Sequence, residues 1–202
     1  MSEAQSDRMG WAFKAALLLG AALLGAVLYV LFLSVSKPGG SALERLAVGD
    51  MAALQVLDAP APQTGHPFLD AAGRTRTLAD FRGRVVLLNV WATNCPPCLG
   101  ELPSLANLQR RYPETLRVIA VSIDGLPRRA QAEAEFARLT QGALGFYLDP
   151  AKSMAFAVGG EGLPVTVIYD AQGRERARLT GGAEWDGPDA FALFDALIAQ
   201  GS

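Results

Sequence analysis

Cysteine is nearly missing from this chain: two residues in 202, accompanied by a single histidine. Closed zinc coordination asks for four Cys or His ligands in a tetrahedron. Cys95, Cys98 and His66 fall short of that, so a structural metal within one chain is set aside. Charge is scarce too. Asp, Glu, Lys and Arg make up 19% of the residues and the net charge is -2, which leaves no basic field for nucleic acid. The four methionines show no Met-x-Met clustering of the kind that carries copper. Apolar residues, by contrast, are plentiful at 50%, more than a domain of this size needs, and point to an added apolar segment.

That segment runs from Ala15 to Ser34, 20 residues without a charge. At about 1.5 Å per residue a helix of that length spans roughly 30 Å, the hydrocarbon core of a bilayer. Trp11 and Lys14 stand at one end and Lys37 at the other, where interfacial anchors belong. Residues 1–14 then form a short N-terminus, 15–35 a transmembrane anchor, 36–65 a linker and 66–202 the folded domain. Cleavage at Ser34-Val35-Ser36 is the rival, although signal h-regions are usually shorter, at about 7 to 15 residues. Arg8 and Lys14 balance Lys37 and Arg45, so charge alone does not orient the anchor. In the linker, Ala42 to Leu54 has the pattern of a short amphipathic helix, and Ala59-Pro60-Ala61-Pro62-Gln63-Thr64-Gly65 reads as extended chain.

Both thiols fall in one tetrapeptide, Cys95-Pro96-Pro97-Cys98. A bridge across so short a loop removes little entropy from the unfolded chain. A reversible dithiol and disulfide is the better use of the pair. Local order supports it. Arg84 to Trp91 is a β-branched and aliphatic run, the mark of a strand buried on both faces. From Cys95 the pattern turns helical: Pro96 suits the first helical position, and Leu99, Leu102, Leu105, Leu108 and Tyr112 outline an apolar face. Cys95 thus stands at a helix N-terminus, where free N–H groups and the helix dipole favour a thiolate.

The run Gly83 to Cys98, followed by Glu101-Leu102-Pro103, resembles the membrane-anchored, thioredoxin-like thiol:disulfide oxidoreductases of the TlpA and ResA type. Val118 to Asp124 resembles that family's second central strand, and Gly162 to Asp170 the segment carrying its cis-proline. The resemblance covers residues 66 to 199. It implies an α/β fold, a thioredoxin-like sandwich around a central mixed sheet, preceded by one transmembrane helix. The domain would face the periplasm or its equivalent, an oxidising space that suits a two-cysteine redox pair. By position Cys95 is the nucleophile and Cys98, one helical turn deeper, resolves the mixed disulfide. Glu101, three residues on, is placed to take a proton from Cys98; the alternatives for it are a solvated helix residue or a partner for Arg110 or Arg111. Thioredoxins carry a buried Asp six residues before the first cysteine, and this chain has Asn89 there. The family usually has Trp immediately before that cysteine, and this chain has Asn94. The resemblance also implies a cis bond at Pro164, with Leu163 offering backbone groups to a client strand. Asn94 and Trp91 complete the expected client-binding set. His66, Trp11 and Trp185 read as structural.

Elsewhere in the domain, Phe68–Asp70 and Arg76–Leu78 flank a hairpin turn, and Leu116 to Ile123 gives a strand. Ala130 to Gln141 gives a helix, and Val165–Tyr169 pairs with Glu175–Leu179 around a second turn. Pro188 opens a last helix with an apolar stripe at Phe191, Phe194, Leu197 and Ile198. The expected function is a tethered protein-disulfide reductase. It needs no cofactor beyond the Cys95–Cys98 disulfide and no metal, and it works between a membrane electron-donor protein and an extracytoplasmic client. Cytochrome c maturation and oxidase copper-site assembly are the two client classes that the resemblance offers. Two other functions stay open: a metallochaperone holding Cu(I) on the two thiolates, and an interaction module with an inert disulfide.

Overall fold

The computed structural model describes residues 19–20, 23–30 and 42–201, and the chain divides into two compact units, Met1–Gly40 and Ser41–Ser202. In the first unit residues 19–20 and 23–30 are helical, with Leu19, Leu23, Leu24, Val27 and Leu28 exposed. Among the described residues no helix is long and apolar enough to cross a membrane. The rest of the expected 15–35 anchor, and the whole 1–14 segment, lie outside the described residues.

The second unit is built on an eight-stranded mixed sheet. In chain order the strands are β1 (Gln55–Pro62), β2 (Phe68–Asp70), β3 (Thr75–Arg76), β4 (Val85–Trp91), β5 (Leu116–Ser122), β6 (Tyr147–Leu148), β7 (Val165–Tyr169) and β8 (Arg174–Thr180). Across the sheet they run β1-β8-β7-β4-β5-β6-β2-β3. The helices are α1 (Pro96–Arg111), α2 (Arg129–Thr140), α3 (Met154–Ala157) and α4 (Pro188–Gly201).

All seven residues of β4 are buried, as its unbroken apolar run requires, with β5 parallel on one side and β7 antiparallel on the other. Its side chains alternate between two cores. Val85, Leu87 and Trp91 join Leu102, Leu105, Leu108, Phe136 and Phe194, the side covered by α1, α2 and α4. Val86, Leu88 and Val90 join Ile119, Val121, Met154 and Val167 on the opposite face. Asn89 shares the parity of Leu87 and Trp91, and so is turned toward α1.

The folded unit begins near Ser41, which corrects the boundary expected at residue 66. Leu43, Met51 and Leu54 are buried in the first core, and the short helix expected over 42–54 is two 3-10 turns, Glu44–Leu46 and Gly49–Met51. The Ala-Pro stretch is the end of β1, antiparallel to β8 through Ala61↔Glu175 and Pro62↔Arg174, not free linker. Prolines suggested linker because they cannot donate to a ladder, yet an outermost strand needs donors on one side only.

One five-residue turn is used twice. In Asp70-Ala71-Ala72-Gly73-Arg74, Oδ1 of Asp70 accepts the backbone N–H of Ala72 and Arg74, and its Oδ2 accepts Nε of Arg74 at 2.8 Å. In Asp170-Ala171-Gln172-Gly173-Arg174 the same atoms make the same bonds, the last at 2.9 Å. Gly73 and Gly173 both have φ of 77°, a value that favours glycine. Asp170→Ala would remove the acceptor shared by two backbone N–H groups and the Arg174 guanidinium, all within reach of water, so a urea melt should show a loss of about 1 kcal/mol; an unchanged midpoint would mean that the turn closes without its aspartate.

Candidate active site

The chain leaves β4 at Trp91, turns through Ala92–Asn94 and enters α1 at Cys95, its N-cap. The turn is tied from the side by Asp124, a buried carboxylate that accepts the Thr93 N–H at 2.9 Å and hydroxyl at 2.6 Å. Cys95 and Cys98 form a disulfide. The Cys98 N–H also points at the Cys95 sulfur, 3.3 Å away, so the first turn of α1 presents a donor to the atom that would carry thiolate charge. Cys95 is partly exposed while Cys98 is fully buried. That asymmetry leaves Cys95 the more accessible of the two.

Leu163-Pro164 is a cis bond, as expected. The Pro164 carbonyl accepts the Gly181 N–H at 2.9 Å, and a side chain at Gly182 would meet Pro97 at 3.5 Å. The segment 181–185 therefore runs from the cis-proline loop along the back of the cysteine turn.

Glu101 lies under this segment, 3% exposed. Its Oε1 accepts Nδ2 of Asn89 at 2.7 Å, and its Oε2 accepts the indole N–H of Trp185 at 3.0 Å and the Ala183 N–H at 3.3 Å. Burial pushes the carboxyl up from 4.5 to about 7, against the pull of the hydrogen bonds from Trp185, Asn89 and Ala183. An open cleft of about 350 Å³, with Asp50, Pro97, Glu101, Ala183 and Glu184 in its lining, lies against this residue. A carboxyl raised into the neutral range, three residues from the buried thiol, can exchange a proton near pH 7. The alternative arginine partners are engaged elsewhere: Arg110 with Asn107 and the Thr140 carbonyl, Arg111 over the Phe191 ring.

Of the expected client-contacting residues, Asn94 is exposed beside Cys95, and Leu163 is half-buried. Trp91 is corrected. It is fully buried and stacks on Phe136 with ring centroids 5.5 Å apart, because the parity of β4 turns it into the first core, away from the rim. Trp185, read as structural, belongs to the site through its bond to Glu101; 84 residues separate the two, and no local pattern links them. His66 lies outside the site, with Nε2 3.1 Å from Oγ of Ser153.

A cysteine pair at the start of the helix that follows the central strand, together with a cis-proline immediately before the neighbouring strand β7, defines a thioredoxin-like redox domain. The chain belongs to the AhpC/TSA family, whose model matches residues 57–178. Among curated proteins it is 38% identical over 66 residues to "Thioredoxin-like protein YneN" of Bacillus subtilis, covering 33% of this chain and 39% of that one. It is 31% identical over 113 residues to "Thiol-disulfide oxidoreductase ResA" of Geobacillus thermodenitrificans, covering 55% and 63%. The chain thus spans less than two thirds of the length of either relative. Among solved structures, a secreted thiol-disulfide isomerase from Corynebacterium glutamicum superposes with a TM-score of 0.62 at 20% identity, over 81% of this chain and 95% of that one, and shares the fold.

Proposed function

We propose that this protein is a thiol:disulfide oxidoreductase that reduces protein disulfides through Cys95 and Cys98. The observation that carries the reading is the disulfide itself, with one sulfur toward solvent and the other buried three residues from an uptitrated carboxyl. Relatives named for thiol-disulfide exchange support it.

In the forward direction the Cys95 thiolate attacks a client disulfide. A Cys95–client bond forms, the client bond breaks, and one client sulfur leaves as thiolate. The Glu101 carboxylate takes the Cys98 proton. The Cys98 thiolate then attacks Cys95, forming the intramolecular disulfide and expelling the second client sulfur. The two client thiolates take up two protons, one returned by Glu101 and one from water, so the client gains two electrons and two protons. An electron donor's dithiol resets the pair by the reverse sequence. The client strand would run past Leu163 and Pro164, using backbone groups of Leu163, with Asn94 at the rim.

The apolar run 15–35 and the resemblance of residues 66 to 199 support a finer reading: a domain tethered to the inner membrane on its periplasmic side. Its donor is a membrane protein and its client an extracytoplasmic protein of cytochrome c maturation or oxidase copper-site assembly. A Cys98→Ser variant tests the central claim, since it stops the sequence at the mixed disulfide. Cells carrying it should accumulate clients bound through Cys95, released by reductant; a clean absence of such adducts would sink the reductase reading.

A further inference from the structure

Glu101 is gripped on its two oxygens by groups that differ in kind. Trp185 offers an indole N–H, which donates and cannot accept. On Oε2 it supports the carboxylate and gives nothing to a carboxylic acid proton. Asn89 offers an amide, with a donor and an acceptor on one rotor. Its Nδ2 donates to Oε1 of Glu101 at 2.7 Å and to Oγ1 of Thr166 at 3.0 Å, and its Oδ1 is buried with no partner among the described residues. A half-turn of the amide exchanges the two ends. Oδ1 then faces Glu101 and accepts its proton, while the Thr166 hydroxyl turns from accepting to donating. The turned amide leaves its N–H groups where Oδ1 now stands, so one end of the amide is without a partner among the described residues in either orientation, and Asn89 offers a donor to the carboxylate in one and an acceptor to the carboxylic acid in the other. An aspartate in its place would set a second carboxylate beside the first.

The indole has no such freedom. Trp185 is fully buried, its backbone N–H donates to Oγ of Ser104 at 3.1 Å, and that hydroxyl donates to the Glu101 carbonyl at 2.9 Å. Its ring packs near Phe194, with centroids 6.5 Å apart. The tryptophan is therefore bolted to the turn of α1 that carries the carboxyl it holds.

We propose that Trp185 and Asn89 are positioning residues with divided duties: Trp185 aims the Glu101 carboxyl and biases it toward the ionised form, while Asn89 follows the proton on and off by turning its amide. The inference rests on the reading of Glu101 as the proton acceptor of Cys98. The titratable and polar groups around Glu101 are Asn89 on β4, Trp185 and the Ala183 N–H on the segment behind it, and Asp50 and Glu184 in the lining of the cleft, with Cys98 three residues back on α1. Among the described residues no cation pairs with it, so hydrogen bonds set its ionisation against burial.

The test follows the Glu101 carboxyl by infrared or carbon-13 resonance across pH in the full chain, reduced. Trp185→Phe removes the N–H, and replacement of Trp185 by 3-benzothienylalanine removes it while keeping a bicyclic ring, should the phenyl ring pack poorly. Either should raise the titration midpoint by about half a unit to one unit, the size of one hydrogen bond to a carboxylate. Asn89→Leu should move it less, because the amide serves both states. A midpoint unmoved in both Trp185 variants, or moved more in Asn89→Leu than in either, overturns the proposal. The pH profile of model-disulfide reduction is read on the same samples. A midpoint that moves while the profile stays fixed upholds the positioning and rejects the proton-transfer reading of Glu101.

Discussion

Cys95→Ser should reduce turnover of a protein disulfide to the solution background. Cys98 cannot substitute, because it is fully buried while Cys95 is partly exposed at the turn. The donor geometry of the first helical turn also serves the Cys95 sulfur, through the Cys98 N–H. A serine hydroxyl there, ionising far above neutral pH, offers no useful nucleophile. The measurement is reduction of a model disulfide by the pre-reduced protein, with Cys98→Ser as the companion. Cys98→Ser should still give one rapid half-reaction and stall at the adduct. Should Cys95→Ser form an adduct while Cys98→Ser does not, the two roles are reversed.

Glu101→Gln should slow that reaction by about 10²-fold above pH 7, the usual contribution of a placed general base. With the carboxyl raised from 4.5 to about 7, the basic form is present above about 7 and lost below it. The wild-type rate should climb through neutrality and the variant's should not. The same substitution has an opposite effect on stability. The folded state holds the Glu101 proton more tightly than the unfolded chain, so the stability attached to it is fully present below pH 4.5 and is lost as the pH rises to about 7. Above that, a buried carboxylate is a standing cost. At pH 8 the glutamine variant should therefore be the more stable by about 2–3 kcal/mol, the gap closing toward pH 4.5. Equal melting curves at both ends of that range would show that Glu101 is solvated after all.

What could be read in the chain without coordinates was local and periodic. The β4 run, the cysteine turn and the α1 stripe each lie within a continuous stretch, and each shows its period directly in the residues. The cis bond at Pro164 came from resemblance alone, since composition says nothing of it. What stayed hidden was relational. Trp185 meets Glu101 across the domain by way of a loop between β8 and α4, and only the folded sheet brings them together. Trp91 stands four residues from Cys95 and looked like a rim residue, yet strand parity buries it. β1 was hidden by its own prolines, which carry the signature of linker wherever they occur in outermost strands.

Those prolines have a consequence for what the sheet can recruit. An open margin invites another chain to add itself as a further strand, the first step toward aggregation. Here Pro60 and Pro62 interrupt the donors along β1, and at the far margin β3 is two residues long and ends in Arg76. Neither border offers an unfolded polypeptide a run of free backbone to zip onto. In the proposed reaction the place for a client strand is then the Leu163-Pro164 loop and not the borders of the sheet.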